Sequence, residues 1–505
     1  MPTSFYDVVI LGTHVGPLVC AALLARRGLR VLVLGQGVLS PSYTLGEVEV
    51  ERRGLIITGT RSPAVQSLFD ELAIKQDIRQ RMPDRTRPFQ LLLPDRRIDL
   101  YDDDRWIGEL AREAPEVQRQ AMDITRTLGE VREELDVLVR RNLTWPPETF
   151  LERQQFSLAT TGQRFDREGQ GWASWSQLPA RHPLRTAFEE ILPHLSGLLV
   201  RQHSDASRAR LHGHLLGDVT QLSGGSSWLQ QALFSRIRSW GSDVRSRDRA
   251  QGIRRERRRG HIIRLARSDE EIGCTQIVHG TPIGELLQLV SERASLASLF
   301  DRVGEPRARA YRSLVHFLVA RRGVPDALEP LGLICAPNAS KKSFLLRSRE
   351  VDEDKILFTL SGLVEEHLVD AGSAPLSFVR EEALDALRSV VPFLEDHLVW
   401  IDSPHDGLPP SVWQGDTELP CSDRWARGPH TMPAVYEYPT RRALGVCALT
   451  TRTPLRGIFL CNDQVAPGLG FEGPLVAAAS AARIVGSPYR RQEWLRRGPW
   501  ARRTV

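Results

Sequence analysis

The sequence predicts an α/β protein whose parallel sheet is assembled from separated parts of the chain. Residues 7–36 read as a strand, a tight turn, a helix of small residues and a second strand, which is a βαβ unit. Residues 457–485 read as an apolar strand, a glycine-rich turn and another helix of small residues. With 505 residues, the chain is also long enough to form two or more packed domains.

The turn of the βαβ unit departs from the dinucleotide fingerprint G-x-G-x-x-G, because its three glycine positions hold Gly12, His14 and Pro17. Gly12 suits the tight turn, since it lacks a Cβ. Pro17 suits a first helical turn, where its missing N–H is not needed. His14 stands where the second glycine would let a pyrophosphate approach the helix N-terminus. Two interpretations stay open: a protonated His14 that contacts a phosphate, and a His14 that plugs the phosphate space.

The end of the second strand departs from the fingerprint as well. An acidic residue normally closes this strand and binds the adenosine ribose, whereas this chain has Gly35 followed by Gln36. These substitutions preserve the fold better than they preserve a nucleotide site.

Near the C-terminus, an apolar strand at residues 458–461 is followed by Asp463, and a helix opens at Pro474. The turn between them contains Gly468, Gly470 and Gly473. A helix N-terminus at the carboxyl end of a strand stabilises a ligand's partial negative charge. A plain strand–helix joint does not require so many glycines, so we interpret this turn as the approach to a ligand.

These segments resemble the phytoene desaturase-like and carotenoid isomerase flavoproteins of the amine oxidase superfamily. Four further segments carry the resemblance: residues 47–74, 145–156, 222–253 and 391–407. The resemblance covers nearly the whole chain. It implies a Rossmann-like FAD-binding domain of the GR2 type with an interleaved α+β substrate domain.

The resemblance also implies a discontinuous organisation. The FAD/NAD(P)-binding-like domain would comprise residues 1–75, 215–300 and 430–486, the substrate domain residues 76–214 and 301–429, and a basic tail residues 487–505.

The local patterns agree with this division. Helical periodicity runs through residues 105–165, and the later half includes a strand at residues 356–360 and a helix at residues 381–394. Residues 252–280 read as three short strands, and residues 403–434 as a long loop.

FAD is the cofactor that the resemblance implies. It places cofactor contacts at Gly12, His14, Gly16, Ala250, Asp463, Gly468, Gly470 and Gly473. Ala250 belongs to segment 222–253, which resembles the family's Gly-Gly-led helix and the strand that passes the adenine. In the family, the C-terminal glycine turn faces the pyrimidine edge of the flavin, and the acid equivalent to Asp463 lies beside the ribityl–pyrophosphate. The departures at His14, Pro17 and Gly35, and Pro41-Ser42 in place of the family's Gly-Gly, all concern the pyrophosphate and ribose end. We therefore expect a preserved flavin-ring end and an eroded nucleotide end.

Two functions follow from different classes. The first is an FAD-dependent oxidoreductase acting on a long apolar substrate such as an isoprenoid or polyene; the flavin would do the chemistry, so no catalytic side chain is nominated. The second is a flavin-less pseudoenzyme that uses the same fold to bind a lipid or a protein partner, as the Rab GDP dissociation inhibitors do. The glycine turn favours the enzyme, because it has little reason to persist without a flavin.

Several other function classes are not supported. Histidines at 182, 194, 203, 212 and 214 lack ligand-spaced partners, so no metal is predicted. The short basic run at residues 254–259 lacks aromatic residues, which indicates a hairpin turn and no nucleic acid partner. Scattered cysteines and a first strand at the very N-terminus predict a cytoplasmic protein without a secretory signal.

The C-terminal tail carries an excess of positive charge, from Arg490, Arg491, Arg496, Arg497, Arg502 and Arg503. Interleaved Tyr489, Trp494 and Trp500 suit peripheral contact with the anionic inner face of a membrane. A solvated tail is the alternative, and the oligomeric state is not predicted.

Overall fold

A computed structural model of the chain describes residues 2–82, 87–141, 143–163, 175–256, 260–291, 293–336, 342–370, 376–415, 419–422 and 426–496. The strands are Ser4–Leu11 (β1), Val31–Leu34 (β2), Ser42–Leu45 (β3), Val48–Glu51 (β4), Ile57–Thr58 (β5), Phe89–Leu92 (β6), Arg97–Leu100 (β7), Val219–Thr220 (β8), Asp243–Arg245 (β9), Ala250–Glu256 (β10), Gly260–Leu265 (β11), Glu271–His279 (β12), Arg307–Ala320 (β13), Leu331–Ile334 (β14), Phe344–Glu350 (β15), Lys355–Glu365 (β16), Leu398–Asp402 (β17), Ser411–Val412 (β18), Ala434–Glu437 (β19) and Ile458–Leu460 (β20). The α-helices are Val15–Arg26 (α1), Pro63–Glu71 (α2), Lys75–Arg81 (α3), Arg105–Glu113 (α4), Gln118–Arg140 (α5), Phe150–Thr160 (α6), Pro183–Glu190 (α7), Leu192–Leu195 (α8), Asp205–Leu215 (α9), Gly225–Ser239 (α10), Ile283–Leu289 (α11), Arg293–Val303 (α12), Glu366–Asp370 (α13), Ser377–Arg388 (α14), Leu394–His397 (α15) and Glu472–Arg496 (α16).

The first sheet has the order β10-β11-β12-β1-β2-β9, with β20 paired to β12. Strands β12, β1, β2 and β9 run parallel, as does β20 beside β12, while β10 and β11 extend the sheet antiparallel. The predicted fold class, α/β with a Rossmann-like domain, is confirmed. The strands come from the beginning, middle and end of the chain, and the exact domain limits stay a prediction.

The predicted βαβ unit is present as β1, α1 and β2. Gly12 has φ +108° in the turn, a conformation that L side chains rarely adopt. Every residue from 16 to 25 of α1 is buried, because the helix packs between the sheet, α10 and α16. Small and apolar residues throughout this stretch permit that close packing on several sides.

The second sheet has the order β18-β17-β13-β16-β15-β14-β6-β7, with β19 paired to β13. Its pairs are antiparallel except β14 with β6. Helix α14 covers part of it, and helices α4 to α9 enclose a separate core around α5. This arrangement matches the interleaved α+β part of the predicted fold.

Most local predictions hold, with one correction. Residues 105–160 form α4, α5 and α6, residues 250–279 form three strands, and residues 356–360 lie inside β16. The helix predicted over residues 381–394 instead ends at Arg388, and α15 is separate. Phe393 between them has φ +54°, so the backbone leaves the helical region there.

The C-terminal helix begins at Glu472, two residues before Pro474. Residues 497–505 and the side chains of residues 490–496 lie outside the described part, so the structure says nothing of the predicted tail contact with a membrane. Among the helices that the structure describes, none is both long and apolar enough to cross a bilayer.

Candidate functional site

A cavity of ≈ 270 Å³ opens where the start of α1, β19 and the turn before α16 meet. Three of the predicted cofactor positions line it: His14, Asp463 and Gly470. The other five do not line it: Gly12, Gly16, Ala250, Gly468 and Gly473. The cavity therefore lies between the turn of the βαβ unit and the C-terminal glycine turn, and we call this part of the expected site the flavin half.

At Gly35, protein backbone occupies the space that the ribose-binding side chain of the fingerprint would need. The Gly35 N–H donates to the carbonyl of Arg245 at 3.1 Å, which draws the segment after β9 onto the end of β2. A Cβ on Gly35 would lie 1.8 Å from the carbonyl oxygen of Ser246. The ribose-binding carboxylate of the dinucleotide fingerprint is therefore excluded, because the space for its side chain holds main chain.

The Gln36 side chain occupies the hydrogen-bonding groups of the main chain at this end of the site. Its side-chain amide accepts from the N–H of Ala250 at 3.0 Å and donates to the carbonyl of Ala250 at 3.3 Å. Both main-chain groups of Ala250, the residue expected beside the adenine, are thus paired with a side chain of the protein. Gln36 is 4% exposed and has φ +56°, so the pairing is buried and specific to this backbone geometry.

At the turn of the βαβ unit, Arg53 Nη1 donates to His14 Nδ1 at 3.0 Å. Burial lowers the pKa of His14 well below its ordinary value, and the charge of Arg53 lowers it further. Without a ligand His14 is therefore neutral, which favours the interpretation of a plug, and a role of His14 toward a phosphate stays a prediction. Pro17 packs on Gly280, where an added Cβ would lie 2.5 Å from the proline ring.

The glycines of the C-terminal turn are required by protein packing. A Cβ on Gly473 would lie 2.1 Å from the carbonyl oxygen of Ala466, and one on Gly470 would lie 2.7 Å from that of Leu195. Gly468 has Val446 Cα at 2.9 Å. The inference that a plain strand–helix joint would not need these glycines was wrong, because three chain segments meet around this turn.

The cavity wall carries charged groups from distant parts of the chain. Arg53 follows β4, Arg312 lies on β13, and Asp463 follows β20. Burial raises the pKa of Asp463, and the two guanidiniums oppose that shift. Burial lowers the pKa of Arg53 and of Arg312. The side chain of Asp463 is exposed to the cavity, so a ligand in the cavity can contact it.

Sequence reasoning missed the side chains that give the cavity its character. Arg53, Arg312, His194 and Tyr438 belong to no recognised motif and come from four separate segments. Only tertiary folding brings them to one wall. No sequence signal marks Arg312, because the same strand also carries Arg307 and Arg309.

Two of the histidines that were considered as metal ligands, His203 and His212, have structural roles. His203 lies between the hydroxyls of Ser196 and Ser207, at 3.1 and 2.7 Å, and His212 Nε2 donates to the carbonyl of Phe188 at 2.7 Å. No group of three metal-ligating side chains is placed to hold a metal ion among the described residues.

The fold is shared with solved oxidoreductases at low sequence identity. An oxidoreductase from Methanosarcina mazei is 14% identical, with 95% of this chain and 99% of that chain covered and a TM-score of 0.59. Wild-type putrescine oxidase bound to putrescine is 16% identical, with 97% and 100% covered and a TM-score of 0.57. Cyclohexylamine oxidase from Brevibacterium oxydans IH-35A is 14% identical, with 96% and 100% covered and a TM-score of 0.52. The chain has the fold of the FAD-dependent amine oxidases. No protein-family model and no curated protein matches it.

That fold implies FAD, and the residues of this chain fit only half of it. The flavin half is open, with His14, Asp463 and Gly470 on the cavity wall. In the adenosine half, the Ser246 main chain occupies the space of a side chain at Gly35, and the Gln36 side chain hydrogen-bonds to Ala250. The dinucleotide as a whole therefore does not fit in the manner of the fold. The finer resemblance to phytoene desaturase-like enzymes stays a prediction.

Proposed function

We propose that this chain is a ligand-binding protein that retains the amine oxidase fold, has closed the adenosine half of the FAD site and binds a smaller molecule in the flavin half. The observation that carries this proposal is the 1.8 Å between a Cβ at Gly35 and the Ser246 carbonyl oxygen. That closure is made by main chain, so a side-chain rotamer change cannot open it.

The paired Gln36 amide supports the proposal independently. To admit an adenine beside Ala250, the protein would have to break two buried hydrogen bonds. Each is worth about 1 kcal/mol net, and leaving the amide unpaired adds a desolvation cost of about 1–3 kcal/mol. The remaining cavity of ≈ 270 Å³ lies near the lower end of the roughly 300–1,000 Å³ usual for ligand pockets.

The second candidate is an FAD-dependent oxidoreductase of the amine oxidase superfamily acting on a long apolar, isoprenoid-like substrate. The fold favours it, because the similar solved structures are an oxidoreductase and two amine oxidases. Asp463 and Gly470 on the cavity wall also favour it. It requires residues 245–250 to leave the end of β2.

The two candidates differ in cofactor content. The full-length protein is purified, its visible absorbance is recorded, and any cofactor is released by denaturation and identified. We expect no bound flavin and no uptake of added FAD. FAD at one molecule per chain would overturn the proposed function and establish the second candidate's cofactor.

Addition of FMN to the same preparation separates the two halves of the site. FMN lacks the adenosine, so it tests the open half alone. Uptake of FMN without uptake of FAD would agree with a closed adenosine half. Equal uptake of both would contradict the closure.

A further inference from the structure

The cavity wall contains buried polar atoms that have no hydrogen-bond partner among the residues that the structure describes. They are Arg312 Nε, Arg347 Nη2, His194 Nδ1 and the Tyr438 hydroxyl, which we call the donor cluster. His194, Tyr438 and Arg347 are 5%, 3% and 6% exposed. Buried polar atoms nearly always have a partner in the protein, in water or in a ligand, so four on one cavity point to an occupant.

The donor cluster has a definite chemical preference. Guanidinium groups only donate, and their fork matches a carboxylate or a phosphate. The hydroxyl of Tyr438 also stays protonated, because burial raises its pKa well above the ordinary value. Burial and Arg312 lower the pKa of His194 to about 3, so its ring is neutral. The two guanidiniums and the Tyr438 hydroxyl can therefore donate, and neutral His194 can donate through Nδ1 in one of its two tautomers, so the wall suits an acceptor.

The local charge favours a single negative charge on that acceptor. Arg347 is already paired with Glu51 at 2.5 Å. Within the described part of the chain, Arg53 and Arg312 have no ion-pair partner; Arg53 donates to His14 and Arg312 to the carbonyl of His194. Asp463 is the one acid on the wall among the described residues. Two unpaired cations against one carboxyl leave one positive charge.

The rest of the wall is apolar. Ile56, Leu195, Leu314, Leu345 and Phe471 line the same cavity. A dianion such as phosphate would face a larger desolvation cost here than a monoanion with a hydrocarbon body, which gains from burial against these side chains.

We infer that the cavity binds a small carboxylic acid with an apolar body, whose carboxylate accepts hydrogen bonds from the donor cluster, above all from Arg312. This inference rests on the proposed function, because a flavin bound in the cavity would take the same space. It assigns the ligand class that the fold alone does not give.

The test uses decanoate and 1-decanol as probes, titrated calorimetrically into the full-length protein after its flavin content is measured. The two probes have the same chain length and differ in the carboxylate. We expect decanoate to bind at least about tenfold more tightly, because only its carboxylate can accept charge-assisted hydrogen bonds from the guanidinium of Arg312. Equal affinities, or no binding of either probe, would overturn the inference.

Two variants locate the carboxylate. Arg312→Gln should weaken decanoate binding at least about tenfold and leave 1-decanol unchanged. Arg307→Gln, on the exposed end of the same strand, is the matched control and should change neither affinity. Should Arg312→Gln fail to fold, Tyr438→Phe removes only an unsatisfied hydroxyl, and it should keep the stability while weakening decanoate.

The failures of the two proposals are distinguishable. FAD in the purified protein overturns the proposed function and this inference together. A flavin-free protein that does not prefer the acid, or whose preference survives Arg312→Gln and Tyr438→Phe, overturns the inference alone.

Discussion

At the scale of single residues, the site is decided by positions where a fingerprint residue has been replaced and its space filled. Gly35 is such a position. A carboxylate side chain there and the main chain of Ser246 would occupy the same space, so the chain can have only one of them. His14 is another, since its neutral ring is held by Arg53 in the place where the fold expects a phosphate. At both positions, a fingerprint residue is absent and another group of the protein occupies the space it would leave for the ligand.

Gly35→Ala should destabilise the protein by about 3 kcal/mol or more, because the added Cβ would overlap the Ser246 carbonyl oxygen and main chain must move. Chemical denaturation followed by circular dichroism measures the change. The matched control is Gly108→Ala in the exposed helix α4, where nothing lies within 4 Å of the new Cβ. It should stabilise by about 0.5–1 kcal/mol. A Gly35→Ala protein as stable as the control would contradict the closure.

Glu148 gives a pH dependence of stability. Burial raises its pKa to about 7, although the N–H of Arg452 donates to it at 3.0 Å. Since the folded state holds this proton more tightly than the unfolded state, the contribution is full below pH 4.5 and is lost as pH rises towards 7. The loss amounts to about 3 kcal/mol. Glu148→Gln should remove this decline in the free energy of unfolding between pH 4.5 and 7.

The neighbouring Glu152 is the matched control for that prediction. Burial would raise its pKa, but the bonds from Arg452 and from the N–H groups of Thr149 and Glu148 lower it to about 2. Its contribution is present above pH 4.5 and is lost as pH falls towards 2. Glu152→Gln should therefore leave the slope between pH 4.5 and 7 in place. The same slope in the Glu148→Gln protein would contradict the assignment.

At the scale of elements, a buried ion pair ties the last helix to the helical layer. Arg210 on α9 donates through Nε and Nη2 to the two carboxylate oxygens of Glu472, both at 2.9 Å, and Glu472 begins α16. Asp136 on α5 lies 2.7 Å from the same guanidinium. Arg210 lowers the pKa of Glu472 against the effect of burial. The glycine turn before α16 is therefore positioned by a charge network as well as by packing.

Arg210→Met should cost about 3–5 kcal/mol of stability, because it leaves the buried Glu472 carboxylate without its cation. The control is Arg309→Met, whose pairs with Glu366 and Glu437 are 40% exposed on the arginine side, and it should cost less than about 1 kcal/mol. Thermal unfolding of both proteins compares them. Equal losses would show that the buried network adds nothing.

At the scale of the whole molecule, the two sheets and the helical layer meet at one cavity, and the Gly35 and Ala250 positions of the expected FAD site lie outside its wall. The turn of the βαβ unit is only one of the closures. Opening it alone leaves the Ser246 main chain and the Gln36 amide in place.

The double variant His14→Gly with Pro17→Gly should therefore not bind FAD. It restores the glycines of the fingerprint turn and leaves the adenosine half closed. Visible absorbance after incubation with FAD and removal of the excess is the measurement, with His14→Gly alone as the control. Stoichiometric FAD in the double variant would show that the turn alone blocks the cofactor.

The βαβ unit, the strand–turn–helix at the C-terminus and the α/β class were predictable because they depend on local patterns: apolar periodicity, Gly12 and small-residue helices. The departures from the dinucleotide fingerprint at His14 and Gly35 could be recognised in the sequence for the same reason. The end of α14 at Arg388 and the left-handed backbone of Phe393 before α15 gave no comparable signal.

By itself, the sequence determined the fold and the places where a dinucleotide fingerprint fails, since both follow from residue types at fixed spacing. It did not determine what fills those places. Only the tertiary structure decided that Ser246 and Gln36 close the adenosine half, that packing explains the glycine turn, and that Arg312 and Tyr438 share a cavity. The physical reason is that main-chain approach, burial and unsatisfied donors arise between segments far apart in the chain, where no local pattern records them.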